Sequence, residues 1–312
     1  MRRSFSQENQ RNNDTRQLKE VLVYQTSNST ILSLYAIAPV HAGSGSSFGV
    51  VDLPIQRERH TQWPHIQASG VKGALREHFE SFYKNDGDNA GEIAKRIFGD
   101  SKGEDGTQAG AIAVSDAKLL AFPMRSNIAP FVWITCPAVL DRLNRDLLLC
   151  GRKSPDLVTV KDKTSAVPVA GNFPDNHKIL LEDMEVEVYP KAALPKEYAG
   201  LFDAASRLLV VDDEVFQYGV EQCTEVQPQI AIDDDTGTTV NGSLHYQELL
   251  PADAIMYVVM FWGDEKREEK FMKADQLFEA VKKSLDNGHI QMGGDLTLGR
   301  GLFSVNTLRK EN

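Results

Sequence analysis

An apolar run from Ile31 to Ile37, closed by Pro39, predicts a first buried strand. Ser69 can cap a helix running to about Tyr83, whose stripe of Val71, Leu75, Phe79 and Phe82 would pack on a sheet. A polar stretch at about 85–110 reads as an insertion around one short amphipathic piece, Ala90 to Phe98, stopped by Gly99. Alternation predicts strands over Ala111–Phe122 and Phe131–Thr135. Pro137 opens a helix to about Leu149 with Leu140, Leu143 and Leu147 inward, and Gly151 closes it. Residues 151–181 read as irregular, Met184–Val188 as a strand and Lys196–Leu208 as a helix. Glu225 to Gln247 has a hairpin pattern, two arms around the turn DDDTG at 233–237. Ala254–Trp262 predicts a buried strand, Gln276–Leu285 an amphipathic helix, and GGDLTLGRGLFSV ends the chain in a glycine-rich loop. Residues 1–30 are polar and without period, and read as a disordered extension with a short helix around Arg16–Tyr24. Strands and helices alternate in a βαβ-like way without a dinucleotide-binding fingerprint.

Composition narrows the picture modestly. A chain of 312 residues, 41% apolar and 25% charged, is ordinary for a soluble globular protein of one large domain or two. No stretch has the length and purity of a membrane span, and the arginines at the N-terminus precede no apolar signal region, so a cytoplasmic location is expected. Cys136, Cys150 and Cys223 are scattered and odd in number, which suits reduced thiols and neither a disulfide frame nor a zinc site. A net charge of −10 argues against a simple nucleic-acid binder, since phosphate affinity comes from Lys and Arg. The distribution changes that reading. Residues 181–269 hold 20 Asp and Glu against 5 Lys and Arg, a local charge of −15, which leaves +5 for the rest of the −10 total. Such a division suits a protein that grips nucleic acid on one side and meets partners on the other; an acidic surface that aids solubility is the plainer account.

Candidate chemistry concentrates between His41 and Arg76. A glycine-serine loop, HAGSGSSFG, follows the first strand; Asp52 comes next, before Pro54, then Arg57, Arg59 and His60, and then Lys72 in the first turn of a helix. The loop is neither a P-loop nor a nucleophile elbow. A lone aspartate beside proline is ordinarily a turn residue. Lys72 stands where the helix dipole disfavours a cation, which suits phosphate contact, although a solvated helix charge is the plain alternative. Arg125, in a loop between strands, is likewise either a phosphate contact or an idle surface arginine. From pattern alone the 225–247 segment is an edge hairpin, and the glycines around Arg300 are a turn between two strands.

The string VVDLPIQRERHTQWPHI (50–66), followed by KGALR (72–76), resembles the backbone subunit of the type III-B CRISPR effector, a member of the RAMP superfamily of RNA-binding proteins. The resemblance continues through VSDAKLLAFPMRS (114–126), the segment 226–251 and GGDLTLGRGLF (293–303), covering the chain from about Ile31 to about Val305. It implies an α+β fold, a ferredoxin-like, RRM-related core with large insertions and a protruding thumb-like hairpin, in one domain over 31–312. It implies an RNA-guided endoribonuclease acting within an assembled complex, in which Asp52 is required for cutting target RNA. His41 is the nearest other acid or base, and Asp52 would hold a divalent metal, magnesium or manganese, or act as general base. The same resemblance implies RNA contacts from Gly43, Ser44, Gly45, Arg57, Arg59, His60, Lys72, Arg76, Arg125 and Ser126. Ile230, Ile232 and Val240 would wedge between bases, and Gly294, Thr297 and Arg300 would line the RNA path. Implied partners are a guide CRISPR RNA, a complementary target RNA, further copies stacked head-to-tail and other effector subunits. The chain departs from the family pattern before Lys72, where Gln67-Ala68-Ser69-Gly70 is shifted, so the N–H groups that face RNA would differ. A scaffold without catalysis is the alternative.

Overall fold

A computed structural model describes residues 26–47, 49–83, 89–100, 108–174, 177–265 and 272–309. The helix expected at 16–24 and much of the 85–110 insertion lie outside them. The central strand is β14 (Ile255–Trp262), eight residues that are all buried because both faces of the sheet are covered. It pairs antiparallel with β1 (Ser29–Ala36) on one side, and with β5 (Ile112–Val114) and then β6 (Ala117–Met124) on the other. The expected strand over 111–122 is thus two, broken at Ser115 and Asp116 where the pairing with β14 steps. β16 (Leu302–Arg309) pairs antiparallel with β1 and carries β15 (His289–Gln291) on its outer edge. From β6 the sheet continues through β7 (Val132–Thr135), β11 (Leu208–Val211), β8 (Ser165–Ala170), β10 (Met184–Val188) and β9 (Lys178–Leu181), and β2 (His65–Ile66) joins at β6. Two small ladders stand apart from this sheet: β3 (Gly99–Asp100) with β4 (Gln108–Ala109), and β12 (Glu225–Gln229) with β13 (His245–Leu249).

Helices cover both faces. On one, α1 (Ala68–Phe82) and α2 (Ala90–Phe98) lie with α5 (Ala274–Ser284), whose Leu277, Phe278 and Val281 meet Met260 and Trp262 of β14 and Ile97 of α2. On the other, α3 (Pro137–Leu149) is tied to the sheet by Asp146, which accepts from Tyr257 Oη at 2.7 Å and from Lys118 Nζ at 2.6 Å. α4 (Asp213–Gln222) packs against β6 and starts at Asp212, whose side chain accepts from Glu214 N at 3.0 Å.

Several expectations need correction. The extension ends by residue 28, since Ser29 already lies in β1. The cap of α1 is Gln67, and Ser69 lies inside the helix. Phe82 is exposed, and His78 takes its place on the buried stripe. Residues 151–181 contain β8 and β9. Only Lys196–Tyr198 of the expected 196–208 helix is helical, as a single 3-10 turn; Gly200 at φ +80° turns the chain toward β11.

Candidate nucleic-acid interface and cleavage site

The glycine-serine segment folds back on itself. Gly43 bridges Ile55, Gln56 N–H donates to Ala42 O at 2.7 Å, and Ser47 N–H donates to Asp52 O at 2.8 Å. The returning arm then pairs with the base of the β12–β13 hairpin: Asp52 N–H and Leu53 N–H both donate to Tyr246 O, and Glu248 N–H donates to Leu53 O at 3.0 Å. Asp52 is fixed by this pairing. Its Oδ2 accepts from the Tyr246 N–H at 2.7 Å, and among the described residues no cation pairs with it.

Glu248 organises the neighbouring residues. Its buried carboxylate accepts from Ile55 N–H at 3.1 Å, Thr224 Oγ1 at 2.8 Å and Arg57 Nη2 at 2.5 Å. Its main-chain oxygen faces His41 Nδ1 at 2.9 Å. A carbonyl can only accept, so Nδ1 carries the hydrogen and Nε2 is the imidazole's open nitrogen. Gly43 lies close beside it: a Cβ there would come within 2.7 Å of Nε2 and push the ring aside. The glycine-rich loop closes the far side of His41. Gly294 N–H donates to His41 O at 2.8 Å, and Gly293, at φ +97°, approaches so closely that a Cβ would meet the same oxygen at 2.8 Å.

The structure therefore brings His41, Gly43, Asp52, Arg57, Gly294 and Arg300 together around β13. Some expected RNA contacts are turned inward. Arg57 spends its guanidinium on Glu248, on Gln62 O and on Val220 O. Arg300 is 8% exposed and donates to Gln247, Asp295 and Gln227. Arg76 is held by Glu80 Oε1 at 2.9 Å and by Gly99 O at 3.0 Å. Ser44 turns both its N–H and its hydroxyl on Pro54 O, while Gly45 stands exposed at φ +97°.

Other candidates face outward. Arg59, His60 and Thr297 are exposed. Arg125 is 70% exposed and pairs with Glu182 at 3.0 Å, and the Ser126 hydroxyl is buried without a partner. These two lie by the end of β9, since Ser126 bridges Leu181. Lys72 is half-buried, and burial and then the Arg76 charge hold its pKa below the usual lysine range. Asp116 already occupies part of the α1 N-terminus, accepting from Ala68 N–H at 2.7 Å. On the hairpin, Ile230, Ile232, Val240, Leu244 and Tyr246 are all exposed apolar side chains, unusual on so small a ladder. The tip is a tight turn in which Asp233 accepts from Asp235 N–H, Thr236 N–H and Thr236 Oγ1, contacts that lower its pKa.

Sequence reasoning missed Tyr246, Gln247, Glu248, Asp295 and Gln227. A buried glutamate and two glutamines inside a polar hairpin arm carry no local signal; their partners come from loops far away in the chain.

A divalent metal needs more than this site offers. Among the described residues no three His, Cys, Asp or Glu side chains are grouped to hold one. Asp52 supplies a single carboxylate with one oxygen already engaged. That donor set is no resident metal site by itself.

Known proteins converge on one family. The model of the RAMP superfamily matches residues 33–304. The CRISPR system Cmr endoribonuclease Cmr4 of Pyrococcus furiosus is 32% identical over 286 residues, 88% of this chain and 94% of that protein. The crystal structure of oligomeric Cmr4 from Pyrococcus furiosus superposes with a TM-score of 0.66 at 26% identity, covering 91% of this chain and 99% of that one. The type III-B Cmr-beta cryo-EM structure in the apo state shares the fold, with a TM-score of 0.70 at 20% identity over 90% of this chain and 98% of that one. The chain belongs to the RAMP superfamily, in the family of the Cmr endoribonuclease Cmr4.

Proposed function

We propose that this chain is the guide-RNA-binding backbone subunit of a type III-B CRISPR ribonucleoprotein, built on a ferredoxin-like palm, and that it cleaves complementary target RNA at regular intervals. The kinship with a protein named an endoribonuclease supports the activity. The observation that carries the residue assignment is Asp52: a carboxylate free of any cation among the described residues, clamped by the Tyr246 N–H at the root of a hairpin with an exposed apolar face. Several copies stack head-to-tail along the guide, an open heterologous assembly, beside other effector subunits in the cytoplasm. No described helix is long and apolar enough to cross a membrane.

RNA cleavage places a ribose 2′-OH in line with the adjacent phosphorus. In a duplex with the guide, stacking holds that hydroxyl out of line. Ile230, Ile232 and Val240 unstack a step by entering between bases, and alignment of this kind contributes several kcal/mol to lowering a barrier. Asp52 then accepts the proton of the 2′-OH through the oxygen not held by Tyr246. His41, whose Nδ1–H donates to Glu248 O, can take a second proton at Nε2 and pass it to the departing 5′-oxygen. Exposed Arg59 and His60, with half-buried Lys72, hold phosphates without reading sequence, which is left to pairing with the guide. Magnesium or manganese belongs to this reading only as an ion shared between Asp52 and RNA phosphates; no step here depends on it.

The test is cleavage of a guide-complementary RNA by the assembled complex with Asp52→Ala in place of wild type. Loss of regularly spaced cuts with target binding intact supports the reading. Undiminished cutting would make the chain a non-catalytic scaffold.

A further inference from the structure

β12 and β13 form a ladder outside the large sheet. β13 meets the rest of the site through isolated bridges, Leu53 with Gln247 and Val40 with Leu250, while β12 has no strand partner besides β13 among the described residues. A two-stranded ribbon gains little stability from its own pairing. Yet both polar groups of the site hang from β13. The Tyr246 N–H holds Asp52 and the Glu248 carbonyl holds His41, with Gln247 between them. A slip of one residue would carry both anchors to the wrong face.

Arg300 is placed to prevent that slip. Gln227 and Gln247 stand directly opposite each other in the ladder, one on each arm. Arg300 Nη2 donates to Gln227 Oε1 at 2.8 Å, while Nη1 donates to Gln247 Oε1 and to Asp295 Oδ2, the latter at 2.8 Å. Gln247 Nε2 closes the ring by donating to the same Asp295 Oδ2 at 2.7 Å. One guanidinium therefore contacts both members of a cross-strand pair, and any change of register separates them. Its own loop is fixed by left-handed residues: Gly293, Asp295, Gly299 and Gly301 have φ between 60° and 97°. The same loop meets His41 through Gly294. An apolar side chain would serve bulk stability at least as well as a buried ion pair, which is costly to desolvate; what the arginine adds is geometric specificity.

We infer that Arg300, with Asp295, is a positioning residue for target cleavage: it locks the glycine-rich loop to both arms of the hairpin and so holds β13 in the register that aims Asp52 and His41. This rests on the reading of Asp52 given above. It touches no RNA.

The experiment compares complexes assembled with wild type, Arg300→Met, Arg300→Lys and Asp295→Asn, with Asp52→Ala alongside. Guide retention, target affinity and single-turnover cleavage at saturating complex are each measured, and the cut positions are mapped. Arg300→Met is expected to bind guide and target as wild type, to cleave about 10- to 100-fold more slowly, as a displacement of about 1 Å produces, and to spread its cuts over neighbouring phosphodiesters. Arg300→Lys, which can satisfy part of the ring, is expected between the two. Asp295→Asn keeps shape and loses charge, is expected to change in the same direction, and decides the matter where Arg300→Met fails to assemble. Wild-type rate and precision in these variants would overturn the inference, as would a loss of RNA affinity in step with activity, which would make Arg300 an RNA contact. Asp52→Ala separates the two claims. If it cuts like wild type, the proposed function itself fails; if it is inactive while the Arg300 and Asp295 variants cut normally, only the positioning role falls.

Discussion

Glu248 shows how a single residue sets this site. A buried carboxylate is tolerated only when charged and hydrogen-bonded partners compensate it, and here a guanidinium, a hydroxyl and a main-chain N–H do so. Arg57→Ala removes the charge and leaves the carboxylate buried, so it is expected to lower stability by about 3 kcal/mol, read by chemical denaturation of the chain. Unchanged stability with weakened RNA binding would return Arg57 to the RNA surface. At this scale the sequence was only partly legible. The order of residues around Asp52 carried the family resemblance, and Asp52 and His41 are both held by main-chain groups of β13. Arg57 and Arg300 read as RNA contacts because an arginine in a loop looks the same whether it faces solvent or not. Arg57 turns inward because of a glutamate 191 residues away, and no local pattern reports that.

Among the elements, those with strong periodicity or clear punctuation were legible. α2 and α3 run as read from the sequence, Ala90–Phe98 up to Gly99 and Pro137–Leu149 with Gly151 behind. β8, β9 and β11 are short, and β8 contains a proline, so each fell below the alternation signal. The hairpin was legible from its turn, and because its apolar side chains are exposed, the proposed wedging can be tested apart from stability. Ile230→Ser and Ile232→Ser are each expected to change stability by no more than about 0.5 kcal/mol, as exposed substitutions do, while the mapped cuts lose their regular spacing. Regular cutting by the double variant would remove base wedging from the mechanism. α1 and α5 are joined by His78, whose Nε2–H donates to Ser284 O at 2.8 Å. Burial lowers the His78 pKa, so the folded state holds it neutral. The unfolded chain takes up the proton first as pH falls below about 6.5, the free-histidine value. Stability therefore declines through that range, and His78→Gln is expected to flatten the decline in denaturation curves recorded from about pH 7.5 to 5.5. An unchanged slope would assign the acid sensitivity elsewhere.

Across the whole chain, charge is divided unevenly between segments. The segment 181–269 carries −15 and includes α4, the hairpin and its acidic tip, while the remainder carries +5 and includes Arg59, His60 and Lys72. On the proposed reading, phosphates are drawn to the basic residues and kept from the acidic tip, and the hairpin meets bases through its apolar arms. The large sheet is the rigid support: β1, β14 and β16 are paired along their lengths, and the loops that leave them converge on β13. In the proposed function Asp52 is the group whose charge serves the chemistry. Asp52→Asn tests that most directly, because the amide oxygen can still accept from Tyr246 N–H while the base is lost. In a complex loaded with guide and bound to target, single-turnover cleavage is expected to vanish, with assembly, target affinity and thermal stability at wild-type values. Cleavage at the wild-type rate and spacing would contradict the account and move the nuclease to another subunit.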